Sequence, residues 1–207
     1  MIKTYYAAHE IDKYVKETFF SNKNDGYFVD IGAHDGININ NTYYFENEGW
    51  SGICFEPVPE IYELLKLNRK CDVVNKALSD VEETLDFFSI KGHAEMLSGL
   101  LKDYPNEHMM RIIRETEQHS DEYECIKVNC STFSKEIETK NIDLLSIDTE
   151  GAELSILKTI DFDKYKIGLM IIEYNYDNQE LISLLNDNNF EIVNKIGCDL
   201  IVKNTKL

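Results

Sequence analysis

Short apolar runs alternate along this chain with segments whose apolar positions recur every three or four residues. The first pattern suits strands and the second suits amphipathic helices, so their alternation predicts βα units building a mostly parallel sheet. Strands are expected at Tyr27–Ile31 and at residues 52–56, 72–75, 143–147 and 168–173. Leu144-Leu145-Ser146-Ile147 and Leu169-Met170-Ile171-Ile172 are apolar at nearly every position, as central strands covered on both faces are. Ile61, Leu64 and Leu65 form one helical stripe, with Pro57 and Pro59 at its start where a missing N–H does no harm. Leu154, Leu157 and Ile160 form another. A helix over residues 10–20 should open the chain. Another over 178–185, then strands at 190–195 and 199–203 paired as an antiparallel hairpin at the sheet edge, should close it. Residues 91–120 break the rhythm: Gly92, Gly99 and Pro105 punctuate a polar stretch that ends in a helix-like 107–117. Insertions that follow strand C-termini border the ligand crevice of a doubly wound sheet, which makes 91–120 a candidate substrate lid. The expectation is one Rossmann-like α/β domain spanning 1–207, with helices on both faces of its sheet.

Composition narrows the partners. The 207 residues, 43% of them hydrophobic, suffice for one sizeable core. No run approaches the roughly 18 apolar residues of a membrane helix. The N-terminus reaches the charged Glu10, Asp12 and Lys13 without the apolar block of a signal peptide. The expected compartment is the cytoplasm, or a host's cytoplasm if the gene is viral. Cys54, Cys71, Cys125, Cys130 and Cys198 are odd in number and lack a C-x-x-C pair, which argues against a disulfide framework and a zinc cage. A formal charge of −17 disfavours polyanionic partners, because nucleic-acid binding needs Lys and Arg against phosphates. Neutral or cationic substrates are favoured.

Two clusters carry candidate chemistry. In Val29-Asp30-Ile31-Gly32-Ala33-His34-Asp35-Gly36, two glycines four apart end the first strand. Such a turn either brings backbone close to a ligand or is a plain left-handed turn. Glu56 ends the second strand twenty residues beyond Gly36, where a carboxylate can accept hydrogen bonds from both ribose hydroxyls of a nucleoside. Asp30 and Asp35 would repel a phosphate and favour a ligand with an amino group and a sulfonium, so S-adenosylmethionine is preferred over NAD or ATP. Asn38, Asn40, Asn41 and Thr42 cluster at the start of the next helix; the cluster either caps that helix, or Asn41 or Thr42 also contacts the amino-acid end of the cofactor.

The second cluster is Ile147-Asp148-Thr149-Glu150-Gly151-Ala152-Glu153, at the carboxyl end of an apolar strand. Glu153 reads as a favourable charge at a helix N-terminus. Asp148 and Glu150 would repel each other without a cationic substrate, a metal or a proton, and Glu173 at the end of the next strand should point into the same crevice. Paired carboxylates suit general-base work or Mg²⁺ binding. Asp148 is the first candidate for the base or metal ligand, with Glu150 and Glu173 behind it, and His34 is a second candidate base. His9, His93, His108 and His119 read mostly as incidental.

These blocks resemble the FkbM branch of the class I methyltransferases. The resemblance rests on residues 28–36, on Asn41-Thr42 with Glu46, and on Gly49-Trp50-Ser51-Gly52-Ile53-Cys54-Phe55-Glu56-Pro57. It continues through Asn68-Arg69, Lys76-Ala77-Leu78-Ser79-Asp80, residues 143–153 and Ile172-Glu173-Tyr174-Asn175, in family order from about 25 to 176. Asn40 stands where related sequences often carry Ser, and residues 91–120 match no family pattern. The resemblance implies a seven-stranded sheet whose order reverses at the glycine turn. It implies S-adenosylmethionine held by Asp30, Gly32, Ala33, His34, Asp35 and Gly36, then by Asn41, Thr42, Glu56, Pro57 and Asp148. Lys76 and Ala77 should border the adenine. It also implies methyl transfer to a hydroxyl of a natural product or of a sugar in a glycan. The alternatives are an RNA ribose methyltransferase, a non-catalytic cofactor-binding module and an NAD-dependent oxidoreductase.

Overall fold

The structure is a computed structural model that describes residues 4–207. The elements in order are α1 (Ile11–Phe19), β1 (Tyr27–Ile31), α2 (Tyr43–Asn47), β2 (Ser51–Phe55), α3 (Pro59–Asn68) and β3 (Asp72–Val74). There follow β4 (Ala77–Leu78), β5 (Thr84–Lys91), β6 (Gly99–Leu100), α4 (Asn106–His119), β7 (Glu122–Ser131) and α5 (Phe133–Glu136). The chain ends with β8 (Asn141–Ile147), α6 (Glu153–Leu157), β9 (Lys166–Glu173), α7 (Gln179–Asp187), β10 (Phe190–Ile196) and β11 (Asp199–Asn204).

Seven strands form the main sheet in the order β10-β11-β9-β8-β1-β2-β3. β3, β2, β1, β8 and β9 are parallel, whereas β11 runs antiparallel to both neighbours, so the sheet is mixed. The closing hairpin forms as expected, but only β10 lies at the edge; β11 is inserted between it and β9. Consecutive apolar residues in the central strands serve two cores. Phe28, Leu144, Leu169 and Ile171 pack with residues of α1, α2 and α3 on one face. Val29, Leu145, Met170 and Ile172 pack with residues of α5, α6 and α7 on the other. Each such side chain withdrawn from water contributes about 1.5–3 kcal/mol. β1 pairs with β2 on one side and β8 on the other, so the winding reverses at β1, and Ile31 lies level with both Phe55 and Ile147. Crevices open at the carboxyl ends of strands at such a reversal.

The chain between β3 and α5 departs from the expected pattern. β4, β7, β5 and β6 form a second sheet, absent from the sequence reading. β5 and β7 pair from Thr84↔Asn129 to Lys91↔Glu122, so residues 92–121 leave and return through one gate. The segment from Cys125 to Cys130 alternates as an extended strand does, but its partner lies across residues 92–121, so the pairing left no local signal. Ile90, Ala94, Leu97 and Ile112 form a small core that docks α4 on this sheet. Among the described residues, no helix is long and apolar enough to cross a membrane.

Candidate active site

The turn after β1 is held by backbone hydrogen bonds. Gly32 and Ala33 donate to the Phe55 carbonyl at 3.1 and 3.0 Å, and Gly36 donates to Ala33 at 2.9 Å. Gly32 has φ +85°, and a Cβ there would sit 1.8 Å from the Asp148 carbonyl oxygen. Glycine is therefore required by the neighbouring chain after β8 rather than by ligand volume. Gly36 faces α3, where a Cβ would meet Leu65 and Arg69. Asp35 also turns back on the loop: its Oδ1 accepts the Ile37 and Asn38 N–H groups at 2.9 Å.

Behind the turn lies a closed polar network. Asp30 accepts hydrogen bonds from Asn40 Nδ2 at 2.9 Å and from the Thr42 hydroxyl at 2.6 Å. The buried Arg69 lies 3.8 Å from Asp30, pairs with Glu46, and donates to the Gly36 carbonyl and the Thr42 hydroxyl. Burial raises the proton affinity of Asp30, and Arg69, Thr42 and Asn40 pull it back. Of the polar cluster before α2, Asn40 makes the side-chain contact at the helix start: its Oδ1 accepts the Thr42 and Tyr43 N–H groups. Asn41 instead donates to the Ser146 hydroxyl at 3.1 Å, linking the turn to β8.

Glu56 sits just past β2 with its carboxylate against the turn. It accepts the N–H of His34 at 3.2 Å and of Val58 at 2.8 Å. Burial lifts it to about 7, with those two N–H groups opposing the rise.

The second cluster is electrostatically loaded. One carboxylate oxygen from each of Asp148, Glu150 and Glu173 lies within 4.8 Å of the others. Burial, then the nearby Asp199 and Glu153, raise Asp148 to about 7. Burial, then Asp148, raise Glu150 to about 8, and burial with the same carboxylates pushes Glu173 well up. Glu150 has φ 56°, a left-handed conformation rare for a non-glycine residue, next to Gly151 at φ 127°. Glu153 holds this loop together: it accepts the Thr149 N–H, the Thr149 hydroxyl and the Gly151 N–H at 2.9, 2.7 and 3.1 Å. That is more than the helix-terminal charge expected of it.

Both clusters open into one cavity of about 350 Å³, within the range that small-molecule sites occupy. Its wall includes Asp30, Gly32, Ala33, His34 and Asn41 from the first cluster, and Glu56, Pro57, Lys76 and Ala77 beside it. Asp148, Glu150 and Glu173 complete the far side. Asp35, Gly36 and Thr42 are left behind the wall. Among the described residues, the acidic groups on the wall without a Lys or Arg salt bridge therefore include Glu56 and the acidic edge, whereas Asp30 is compensated by Arg69 and Asp35 bonds its own loop.

The model of the methyltransferase FkbM domain matches residues 30–192. The chain belongs to the FkbM methyltransferase family. Its reaction class is methyl transfer, and S-adenosylmethionine is the donor that class implies. No curated protein matches the methyltransferase in sequence. Among solved structures it is similar to the ribosomal protein L11 methylase of Lactobacillus delbrueckii subsp. bulgaricus, at 11% identity and TM-score 0.50 over 94% of this chain and 77% of that one. A weaker likeness joins it to M. capricolum TrmK, solved with S-adenosylhomocysteine, at 13% identity and TM-score 0.47 over 96% and 69%. The first likeness shows a shared fold.

The structure brings to the acidic edge a histidine that reads as incidental in the sequence. His108, on α4, is fully buried beside the acidic edge. Burial holds its imidazole below the usual histidine range, so it is neutral. Its Nε2 lies 3.2 Å from the Leu97 carbonyl and must carry the proton. Its Nδ1 therefore accepts, facing the Tyr176 hydroxyl at 3.3 Å and Glu150 Oε2 at 3.4 Å. His108, Ile112 and Thr116 are buried at four-residue spacing, and that stripe was the available signal. Arg111 from the same helix, with Met96, Leu97 and Ser98, lines the cavity. His34 faces this segment, its Nε2 3.7 Å from Glu95.

Proposed function

We propose that this methyltransferase transfers a methyl group to a hydroxyl oxygen of a small molecule, a sugar or hydroxylated natural product, with Asp148 as the base. The observation that carries the reading is a carboxylate held near pH 7 at the carboxyl end of β8, beside the glycine turn. A base whose pKa lies near the working pH is half available and still strong enough to take a proton.

The residues fit S-adenosylmethionine. Glu56 lines the cavity and each of its oxygens accepts one backbone N–H, leaving lone pairs that ribose hydroxyls could use. Lys76 and Ala77 stand beside it at the adenine side, and the carboxylates of the acidic edge offset a positive charge. When bound, the donor supplies an electrophilic methyl carbon on a sulfonium. With such a charge in the cavity Asp148 would be held as the anion, and it would accept the proton of the acceptor hydroxyl. Aligning two bound reactants is worth about 7–11 kcal/mol of the barrier. Residues 92–121 act as the lid over the acceptor, since they bring His108 and Arg111 to the cavity.

A second reading places Mg²⁺ on Asp148, Glu150 and Glu173, favoured by the closeness of their oxygens. Incubation with EDTA separates the two: a proton-acceptor role leaves the rate unchanged, a metal role abolishes it. The main test is a screen of hydroxylated sugars and natural products for a gain of one methyl group in mass. RNA enters the same screen as a control. Methylation of RNA with no hydroxylated small molecule modified would replace this reading.

A further inference from the structure

The base of the 92–121 segment, where it leaves β5 and returns to β7, carries a cluster that the proposed methyl transfer does not use. His93 follows β5, while Glu115 and His119 lie on the last turns of α4, and one ligand atom of each is within 4.8 Å of the others. The local fold sets this meeting. Asp121 accepts the N–H of His93 at 2.9 Å and of Ala94 at 2.8 Å, tying the loop after β5 to the residue just past α4. Gly92, at φ +127°, leaves room for that carboxylate; a Cβ there would lie 2.3 Å from Asp121 Oδ1. Ser120 closes α4 in the left-handed region, and Asp121 N–H returns to the Thr116 carbonyl at 3.1 Å. The His93 and His119 rings stack with centroids 3.9 Å apart.

The tautomer of His119 follows from one contact. Its Nδ1 lies 3.0 Å from the Glu115 carbonyl oxygen, which can only accept, so Nδ1 carries the proton and Nε2 presents a lone pair. Metal-binding histidines are oriented in this way, with the second nitrogen donating to a carbonyl or carboxylate.

We propose that His93, Glu115 and His119 bind a divalent transition-metal ion of the zinc class, clamping the start of the 92–121 segment to the end of α4. Two imidazoles and one carboxylate suit zinc better than magnesium, with water in the fourth position. Bonds of about 2.0–2.1 Å put tetrahedral ligands about 3.4 Å apart, so the stacked rings must make a rotation that turns their in-plane lone pairs to one point. Both histidines are exposed and can make it. Because α4 carries His108 and Arg111, an ion at its last turn steadies the helix that meets the catalytic cavity.

The test is calorimetric titration of the chelator-stripped protein with zinc chloride and, separately, magnesium chloride. The variants are His93→Ala, His119→Ala and Glu150→Gln, each checked by circular dichroism. Wild type should bind one equivalent of zinc and melt at a higher temperature with it. Each histidine variant should bind zinc more than about tenfold more weakly, while Glu150→Gln, in the other carboxylate cluster, binds as wild type. If an alanine variant fails to fold, His119→Gln replaces it and should lose affinity to the same degree. Zinc affinity unchanged in the histidine variants, lost in Glu150→Gln, or absent in wild type overturns the proposal.

Discussion

The two halves of the candidate cavity are built on opposite principles. On the turn side, charge is settled: Asp30 has Asn40, Thr42 and Arg69, and Glu46 has Arg69. On the acidic edge, Asp148, Glu150 and Glu173 meet with no Lys or Arg salt bridge among the described residues, and all three have raised proton affinity. The first half is a frame whose hydrogen bonds are made before any ligand arrives. The second is held at an electrostatic cost that a cation or a proton relieves. In the proposed reading, positioning and chemistry fall to different carboxylates within one cavity, and each half should fail in its own way when altered.

The largest effect is expected on the edge. Asp148→Asn should lower turnover by about 10²–10⁴-fold, the usual contribution of a general base, with cofactor affinity changed by less than about tenfold. Steady-state kinetics with calorimetry reads both. Normal turnover would remove Asp148 from the base role. On the frame side, Arg69→Leu leaves Asp30 and Glu46 buried without their cation. It should cost about 3–5 kcal/mol of folding stability, measured by urea denaturation; a loss under about 1 kcal/mol would mean the network is not closed as described.

Smaller effects sharpen the contrast. Glu56→Gln keeps the shape but weakens charge-assisted hydrogen bonds worth about 1.5–3 kcal/mol each. S-adenosylmethionine should bind roughly ten- to a hundredfold more weakly, while turnover at saturation is nearly unchanged. The smallest is a slope with pH. Carboxyls raised in the fold favour the protonated form, so their contribution is intact near pH 4 and is lost as pH rises through about 7 to 8. The ligand-free protein should therefore melt lower at about pH 9 than at about pH 6. Each kcal/mol lost lowers the midpoint by ~2–4 °C in a chain of this length. Glu150→Gln should flatten that slope, and Arg69→Leu should not.

The same contrast explains what could be read from the chain. β1, β8 and β9 were legible because both faces of each are buried, and Glu56, Asp148 and Glu173 follow from where those strands and β2 end. The roles of Asp35, Gly36 and Thr42 were not, because a short acidic or glycine-rich turn looks alike whether it faces a ligand or its own backbone. Arg69 was visible only as part of a family block. β5 and β7 do alternate, as Leu85-Asp86-Phe87 and Ile126-Lys127-Val128-Asn129-Cys130 show, but their pairing spans residues 92–121 and no local pattern announces it. His108 escaped for a related reason: on a helix, a buried histidine differs from an exposed one only by the residues that share its stripe.

The central claim is that the carboxylates of the acidic edge hold a positive charge in exchange for protons. Calorimetry near pH 7.5, in two buffers of different ionisation enthalpy, counts the protons released on binding. The account predicts that cationic S-adenosylmethionine releases protons and that neutral S-adenosylhomocysteine releases markedly fewer. Equal release for the two ligands, or no release with either, would contradict it.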